Sequence, residues 1–214
     1  MVQAMQNLPW NALADAGWTP LVLIRHGRTA SNRERRFVGR MDVPLDDEGQ
    51  RQAGLLGQRL ASMPRQGLFA SPLSRAMQTS VPLGEAVAVP QLQELDQGEW
   101  EGRLGHEVMA EFPDFFAQWV KDPGAMRVPG GETLGECQAR AVAALEGLMA
   151  SHSPGAPVVV VSHQMVLHTV VLHALGLPLR QLRKLKQGNT AVNLLGYREG
   201  EWTLRRLNDR DHLS

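Results

Sequence analysis

Short apolar runs alternate along the chain with longer stretches of helical period, and clusters of Gly, Pro and polar residues separate them. Leu21-Val22-Leu23-Ile24 is a continuous apolar run after Pro20. A run apolar on both faces suits a central strand of a parallel sheet. It stops abruptly at Arg25-His26-Gly27-Arg28-Thr29, where Gly27 permits an unusual backbone angle. Residues 30 to 46, rich in Arg and closed by Pro44, are expected to form a loop. Asp46 or Asp47 then caps a helix to about Met63, with Leu55, Leu56, Arg59 and Leu60 at helical spacing. Gly67 to Ser71 predicts a second short strand, and Pro72 suits the first turn of a helix capped by Ser71. Val87 to Leu92 predicts a weaker strand, followed directly by Glu94.

Residues 104 to 121 predict a helical insert broken at Pro113 and carrying Phe112, Phe115, Phe116 and Trp119. After the turn Pro129-Gly130-Gly131-Glu132-Thr133, a helix runs to about Ala150, turning Leu134, Cys137, Ala141, Ala144, Leu145 and Leu148 inward. Val158 to Val161 is the most strand-like run of the chain and ends in Ser162-His163. A helix through Val166, Val170 and Leu175 stops at Gly176, with Pro178 beyond it. Thr190 to Tyr197 and Trp202 to Leu207, separated by Glu199-Gly200, predict a terminal hairpin. Residues 1 to 18 show no clean period and are read as an N-terminal extension to a single domain over residues 19 to 214. Strands alternating with helices give an α/β fold, a three-layer sandwich with a mainly parallel central sheet flanked by helices.

Composition narrows the function. Hydrophobic residues are 43% and charged residues 21% of 214, which describes an ordinary globular chain. Lys plus Arg and Asp plus Glu are both 22, so there is no broad basic face for nucleic acid or a membrane surface. The single cysteine, Cys137, excludes a disulfide framework within one chain and a Cys-based zinc site. His163, His168 and His173 are spaced by five, not by the four that put metal ligands on one helical face. No metal and no cofactor are therefore expected. No apolar run approaches the ~18 residues of a membrane span. No Lys or Arg precedes Arg25 to make the positive start of a secretory signal, so a cytoplasmic location is expected.

In an open α/β sheet, ligands bind beyond the carboxyl ends of the strands. Two apolar strands end there in histidine, His26 and His163. Arg25 accompanies the first, Arg75 lies in the first turn of the helix after the second strand, and Glu94 follows the weak strand. Guanidinium forks chelate phosphate oxygens and offset the charge that builds on them. A neutral imidazole can attack phosphorus, and a second, if charged, can stabilise the transferring group. A carboxyl group can protonate the leaving oxygen and then take a proton from water. Glu99 and Glu101 rival Glu94 for that role on sequence alone.

The order of motifs resembles that of the histidine phosphatase superfamily, the phosphoglycerate mutase-like family. Leu23-Ile24-Arg25-His26-Gly27-Arg28-Thr29 with Asn32, and then Arg36 to Leu45, are similar to its opening signature. Ser71 to Thr79, Glu94 to Gly102, Gly130 to Thr133 and Val159 to His163 follow in the family's order. The resemblance implies that His26 is phosphorylated and that Glu94, four residues before Gly98, is the proton donor. It also implies that Arg25, Arg75 and His163 form the phosphate pocket, with Asn32 a further contact. Two departures stand out. Gln164 takes the place of a frequent glycine, so its side chain would narrow the pocket or contact substrate. Asp96 stands where relatives often have histidine or an apolar residue. The implied activity is metal-independent hydrolysis of a small-molecule phosphomonoester. A cofactor-dependent phosphoglycerate mutase and a non-catalytic phosphate-binding module are the alternatives. The sequence leaves the ester itself open, and a homodimer formed through the terminal hairpin remains compatible with it.

Overall fold

A computed structural model describes residues 8–214; residues 1 to 7 of the expected extension lie outside the described residues. Six strands form one sheet: β1 (Thr19–Arg25), β2 (Gly67–Ala70), β3 (Val87–Ala88), β4 (Val158–Ser162), β5 (Val192–Arg198) and β6 (Glu201–Asp209). Their order across the sheet is β3-β2-β4-β1-β5-β6. The first three pairings in that order are parallel and the last two antiparallel, so β5 alone runs against the rest.

The helices are α1 (Trp10–Asp15), α2 (Ala30–Glu34), α3 (Asp47–Leu60), α4 (Ser74–Ser80), α5 (Gly105–Glu111), α6 (Pro113–Trp119), α7 (Leu134–Ala150) and α8 (Gln164–Ala174). They cover both faces of the sheet. The strand period of two sorts the core: Leu21, Leu23, Val158 and Val160 pack against α7 and α8, where Leu145 and Val170 meet them. Val22, Ile24, Val159 and Val161 face the other way, toward Leu13 of α1, Leu56 and Leu60 of α3 and Ala76 of α4. Each such large side chain, fully buried, stabilises the fold by roughly 1.5–3 kcal/mol. The paired strands β1 and β4 are thus the rigid base on which the chain mounts its polar groups.

Several local expectations change. Within the expected loop of residues 30 to 46, Thr29 and Asn32 exchange side-chain and backbone hydrogen bonds and nucleate α2. Helix α4 begins at Ser74, not at Pro72, and Ser71 is not its cap. The expected strand over Val87 to Leu92 shrinks to two residues, then tightens into a 3-10 turn at Pro90–Leu92. Gly27 does not take a left-handed backbone; it is required because a Cβ there would sit 2.7 Å from the Gly49 carbonyl oxygen. Within the extension, Leu8 and Leu13 are buried and close one end of the α3-side core.

After β1 the chain departs to α3 on one face; after β4, its neighbour, it departs to α8 on the other. This divergence opens a crevice at the carboxyl ends of the two strands.

Candidate active site

Strand register decides which polar groups meet. Arg25 pairs laterally with Ser162, so the next residues, His26 and His163, lie side by side with ring centroids 5.1 Å apart. The His26 N–H donates to Ser162 O (2.9 Å), continuing the ladder one step beyond the strands. Ala70 pairs with Val161, which brings Ser71 beside His163; Ser71 Oγ and His163 Nε2 are 2.7 Å apart.

His26 Nδ1 lies 2.7 Å from the carbonyl oxygen of Gly27. A carbonyl only accepts, so Nδ1 carries the proton and Nε2 keeps its lone pair. Burial, with Arg25 and Arg75 alongside, holds His26 well below the ordinary imidazole value. The same causes, together with His26 itself, hold His163 down. Both rings are therefore neutral at pH 7. The charged form of the second histidine, one of the options considered from sequence, gives way to a neutral imidazole that donates a single N–H. His163 is fully buried beneath the cavity rather than on its wall, and its Nδ1 has no partner among the described residues.

A cavity of about 180 Å³ sits over His26, walled by Arg25, Asn32, Arg75, Glu94, Gln97 and Gln164 among others. Arg25 NH1 donates to Gln187 O (2.5 Å), while its buried Nε has no partner among the described residues. Burial lowers Arg25 to about 10, still charged at pH 7. Arg75 donates to the carbonyls of Met41 and Gly39, both at 2.8 Å, and so fixes the segment after α2 against the site. Thr79 Oγ1 accepts the Gly27 N–H (2.9 Å) and donates to Arg75 O (2.6 Å), tying the turn after β1 to helix α4. Asn32 Oδ1 accepts from Thr29 N and from Asn189 Nδ2, both at 3.2 Å, which leaves its own amide N–H groups for the cavity.

Of the three candidate carboxylates, only Glu94 lines the cavity. Its Oε1 accepts from Leu95 N (2.9 Å), and the Met165 N–H at the start of α8 lies 3.2 Å from each oxygen. Glu101 instead accepts from the backbone of Arg40 and Gln97, and Glu99 is exposed. The stretch before Glu94 is clamped by Arg140, which donates to Gln91, Gln93 and Glu94 carbonyls at 2.6, 2.7 and 2.9 Å. Glu132 of the Gly-Gly-Glu-Thr turn holds Arg140 in turn and accepts the Asp96 N–H. Asp96 pairs with Arg40 (3.2 Å) and accepts from Gly98 N (3.0 Å), so its carboxylate is taken up in shaping the loop.

An outer compartment of about 360 Å³ adjoins this cavity, lined by Arg35, Arg36, Phe37, Gln164 and Asn189 among others. Phe37 belongs to the aromatic cluster of Trp100, Phe112, Phe115 and Phe116. The insert's three phenylalanines thus join Phe37 and Trp100 in a small core, of which only Phe37 reaches the cavity walls, while Trp119 packs against the core under α7 and α8.

Buried neutral imidazoles make stability depend on pH. His26 and His163 lie well below 6.5, and burial holds His168 and His212 at about 4. Above pH 6.5 neither the folded nor the unfolded chain carries these protons, and they contribute nothing. Below it the unfolded chain binds protons the folded one refuses, so stability falls with pH, by roughly 2 kcal/mol at pH 5 for His168 and in the same direction for the other three. Denaturant titrations are expected to show this decline starting near pH 6.5, before ordinary carboxylates titrate. A flat profile from pH 7 to 5 would contradict the burial of neutral rings.

Residues 21–210 match the sequence model of the histidine phosphatase superfamily, branch 1. Phosphoserine phosphatase 1 of Hydrogenobacter thermophilus is 30% identical over 198 residues, which is 90% of this chain and 93% of that protein. A probable phosphoglycerate mutase of Yersinia pestis is 33% identical over 185 residues, covering 84% of this chain and 86% of its own. Among solved structures, a mycobacterial glucosyl-3-phosphoglycerate phosphatase complexed with VO3 superposes with a TM-score of 0.82. It is 28% identical and covers 89% of this chain and 98% of its own.

Proposed function

The chain belongs to the histidine phosphatase superfamily, and on that premise we propose that it hydrolyses phosphomonoesters of small metabolites with His26 as nucleophile. The observation that carries the assignment is the His26 ring, neutral and pinned through Nδ1 so that Nε2 is the free atom. In the first step Nε2 bonds to phosphorus and the bond to the ester oxygen breaks. Glu94 gives its proton to that oxygen, and the alcohol leaves. In the second step Glu94 takes a proton from water, the water oxygen bonds to phosphorus, and the N–P bond breaks to release phosphate. Arg25 and Arg75 hold the transferred group, with Asn32 adding a neutral donor and His163 supporting the His26 ring from beneath.

The outer compartment supports a finer reading of the substrate. Arg35, Arg36 and the Gln164 amide favour a leaving group that carries a second anionic or carboxylate function. Phosphoserine, named in the Hydrogenobacter relative, is such an ester. Arg35 and Arg36 are exposed, so water reaches this compartment, which favours hydrolysis over a mutase that must shield its phosphohistidine. No described helix is long and apolar enough to cross a membrane; a cytoplasmic location and the absence of a nucleic-acid partner belong to the proposal. Strand β6 is a sheet edge, the place where a homodimer would pair strands.

A panel of phosphoserine, 3-phosphoglycerate, glycerol phosphate and p-nitrophenyl phosphate tests this reading. Turnover is expected to be unchanged by EDTA, since guanidinium supplies the positive charge, and to be inhibited by vanadate. Acidic alkyl esters should exceed glycerol phosphate about tenfold in kcat/KM, equivalent to ~1.4 kcal/mol. Activity lost on chelation and restored by a divalent ion would overturn the mechanism. Interconversion of phosphoglycerates well above hydrolysis would overturn the choice of reaction.

A further inference from the structure

The backbone behind the nucleophile is held by a segment that contributes little to the cavity. The carbonyl oxygen of His26 accepts from Thr190 N and from Asn189 Nδ2, both at 3.2 Å. Gln187 O accepts from Arg25 NH1. Residues 187 to 190 therefore grip the nucleophile's backbone and a phosphate-binding guanidinium at once.

Thr190 makes this grip in an unfavourable conformation. Its φ is 53°, in the left-handed region that β-branched residues rarely enter. Such a backbone persists only where its surroundings over-determine it, and here they do so from the C-terminal segment. Thr190 is fully buried, and its Oγ1 donates to Asn189 O (2.8 Å). With its one proton committed there, Oγ1 can only accept from His212 Nε2 (2.9 Å). His212 therefore carries its proton on Nε2 and turns the Nδ1 lone pair toward Arg59 NH1 (3.4 Å). Arg59 forks onto both carboxylate oxygens of Asp209 at 2.7 Å, in a nearly buried pair. Beside it, Asn208 Oδ1 accepts the Gly188 N–H at 2.7 Å. A Cβ on Gly188 would lie 2.4 Å from Arg210 Cδ, so the Arg210 side chain packs directly on that glycine.

We propose that the C-terminal segment 208–212, acting through His212 on the left-handed Thr190, is a positioning device for the nucleophile. Neither His212 nor any other residue of this segment lines the cavity or its outer compartment. The path from His212 to the reaction therefore runs through Thr190 to the His26 backbone. The inference rests on His26 as nucleophile, and its test is read on the phosphorylated enzyme so that the two can fail separately.

The measurement is the single-turnover rate of His26 phosphorylation by p-nitrophenyl phosphate, by rapid quench at neutral pH, with inhibition by inorganic phosphate alongside. His212→Leu is expected to slow phosphorylation about tenfold or more, since small misplacements of a reacting group are costly. Phosphate inhibition should stay within about twofold, and His212→Gln, which keeps an N–H donor, should recover most of the rate. Thr190→Gly removes the backbone cost. In that background His212→Leu should cost no more than about threefold, a non-additivity that marks coupling. Equal losses in both backgrounds, or an unchanged rate per phosphorylated site with only a lower melting temperature, would overturn the proposal. If His212→Leu does not fold, Arg59→Lys, which keeps the charge but loses the fork, takes its place with the same expected direction and the same overturning outcomes. A wild-type enzyme that never forms phosphohistidine would instead refute the function proposed above and leave the geometry of the segment as described.

Discussion

His26→Ala is expected to reduce hydrolysis of every ester by about 10⁴-fold or more, the scale seen when the nucleophile of a concerted catalytic set is removed. The ring is fixed by the Gly27 carbonyl at one nitrogen, flanked by His163 at 5.1 Å, and seated between two guanidiniums. Among the described residues, no other neutral nitrogen on the cavity wall is presented with its lone pair free. Phosphate binding should survive, because Arg25, Arg75 and Asn32 remain on the wall. The check is a neutral-quench phosphopeptide analysis beside steady-state rates. Wild type should carry phosphate on the peptide containing His26, and the variant should carry none. A variant that retains wild-type turnover, or a phosphoryl group found on another residue, would sink the mechanism.

Glu94→Gln should separate the two chemical steps. A general acid–base group contributes about 10²–10⁴-fold, but only where a proton must move. With an alkyl ester such as phosphoserine both steps need the carboxyl group, and kcat should fall over that whole range. With p-nitrophenyl phosphate the leaving oxygen needs no proton. Phosphorylation should then proceed nearly unimpaired while hydrolysis of the phosphoenzyme slows, so phosphohistidine accumulates after a burst of nitrophenol. The substituted amide keeps one acceptor oxygen for the Leu95 and Met165 N–H groups, which limits structural disturbance. Equal losses on both esters without accumulation would move the acid role away from Glu94.

Much of this site was legible because it is written in local pattern. A four-residue apolar run followed by Arg-His, and a second followed by Ser-His, announce two buried strands ending in imidazoles, and β1 and β4 are those strands. The capping box at Thr133 and Glu136 likewise sits where the turn chemistry put a helix start. Expectations failed where local signals were weak or were outvoted. Pro90 confined β3 to two residues, since it cannot donate to a ladder. Ser71, a good cap by residue type, was drawn instead to His163 across the sheet. The structural roles of Thr79, Arg140 and Asn189 were not legible, because a lone Thr, Arg or Asn on a helix or loop carries no signal of what it will reach.

The sequence by itself determined the fold class, the two histidines at strand ends, the guanidiniums near them and the family, since all of these follow from short-range pattern and motif order. Residue pattern left Glu94, Glu99 and Glu101 as rivals in one polar stretch, and only the order of family motifs favoured Glu94; the clamp of Arg140 and the start of α8 set Glu94 on the cavity wall. Nor could the sequence say which nitrogen of His26 is free or that His163 is neutral. The tautomer follows from the carbonyl of the next residue once the ring is turned onto it, but the burial that keeps both rings neutral, and the approach of Arg75 and Ser71, come from contacts between distant segments that parallel register brings together.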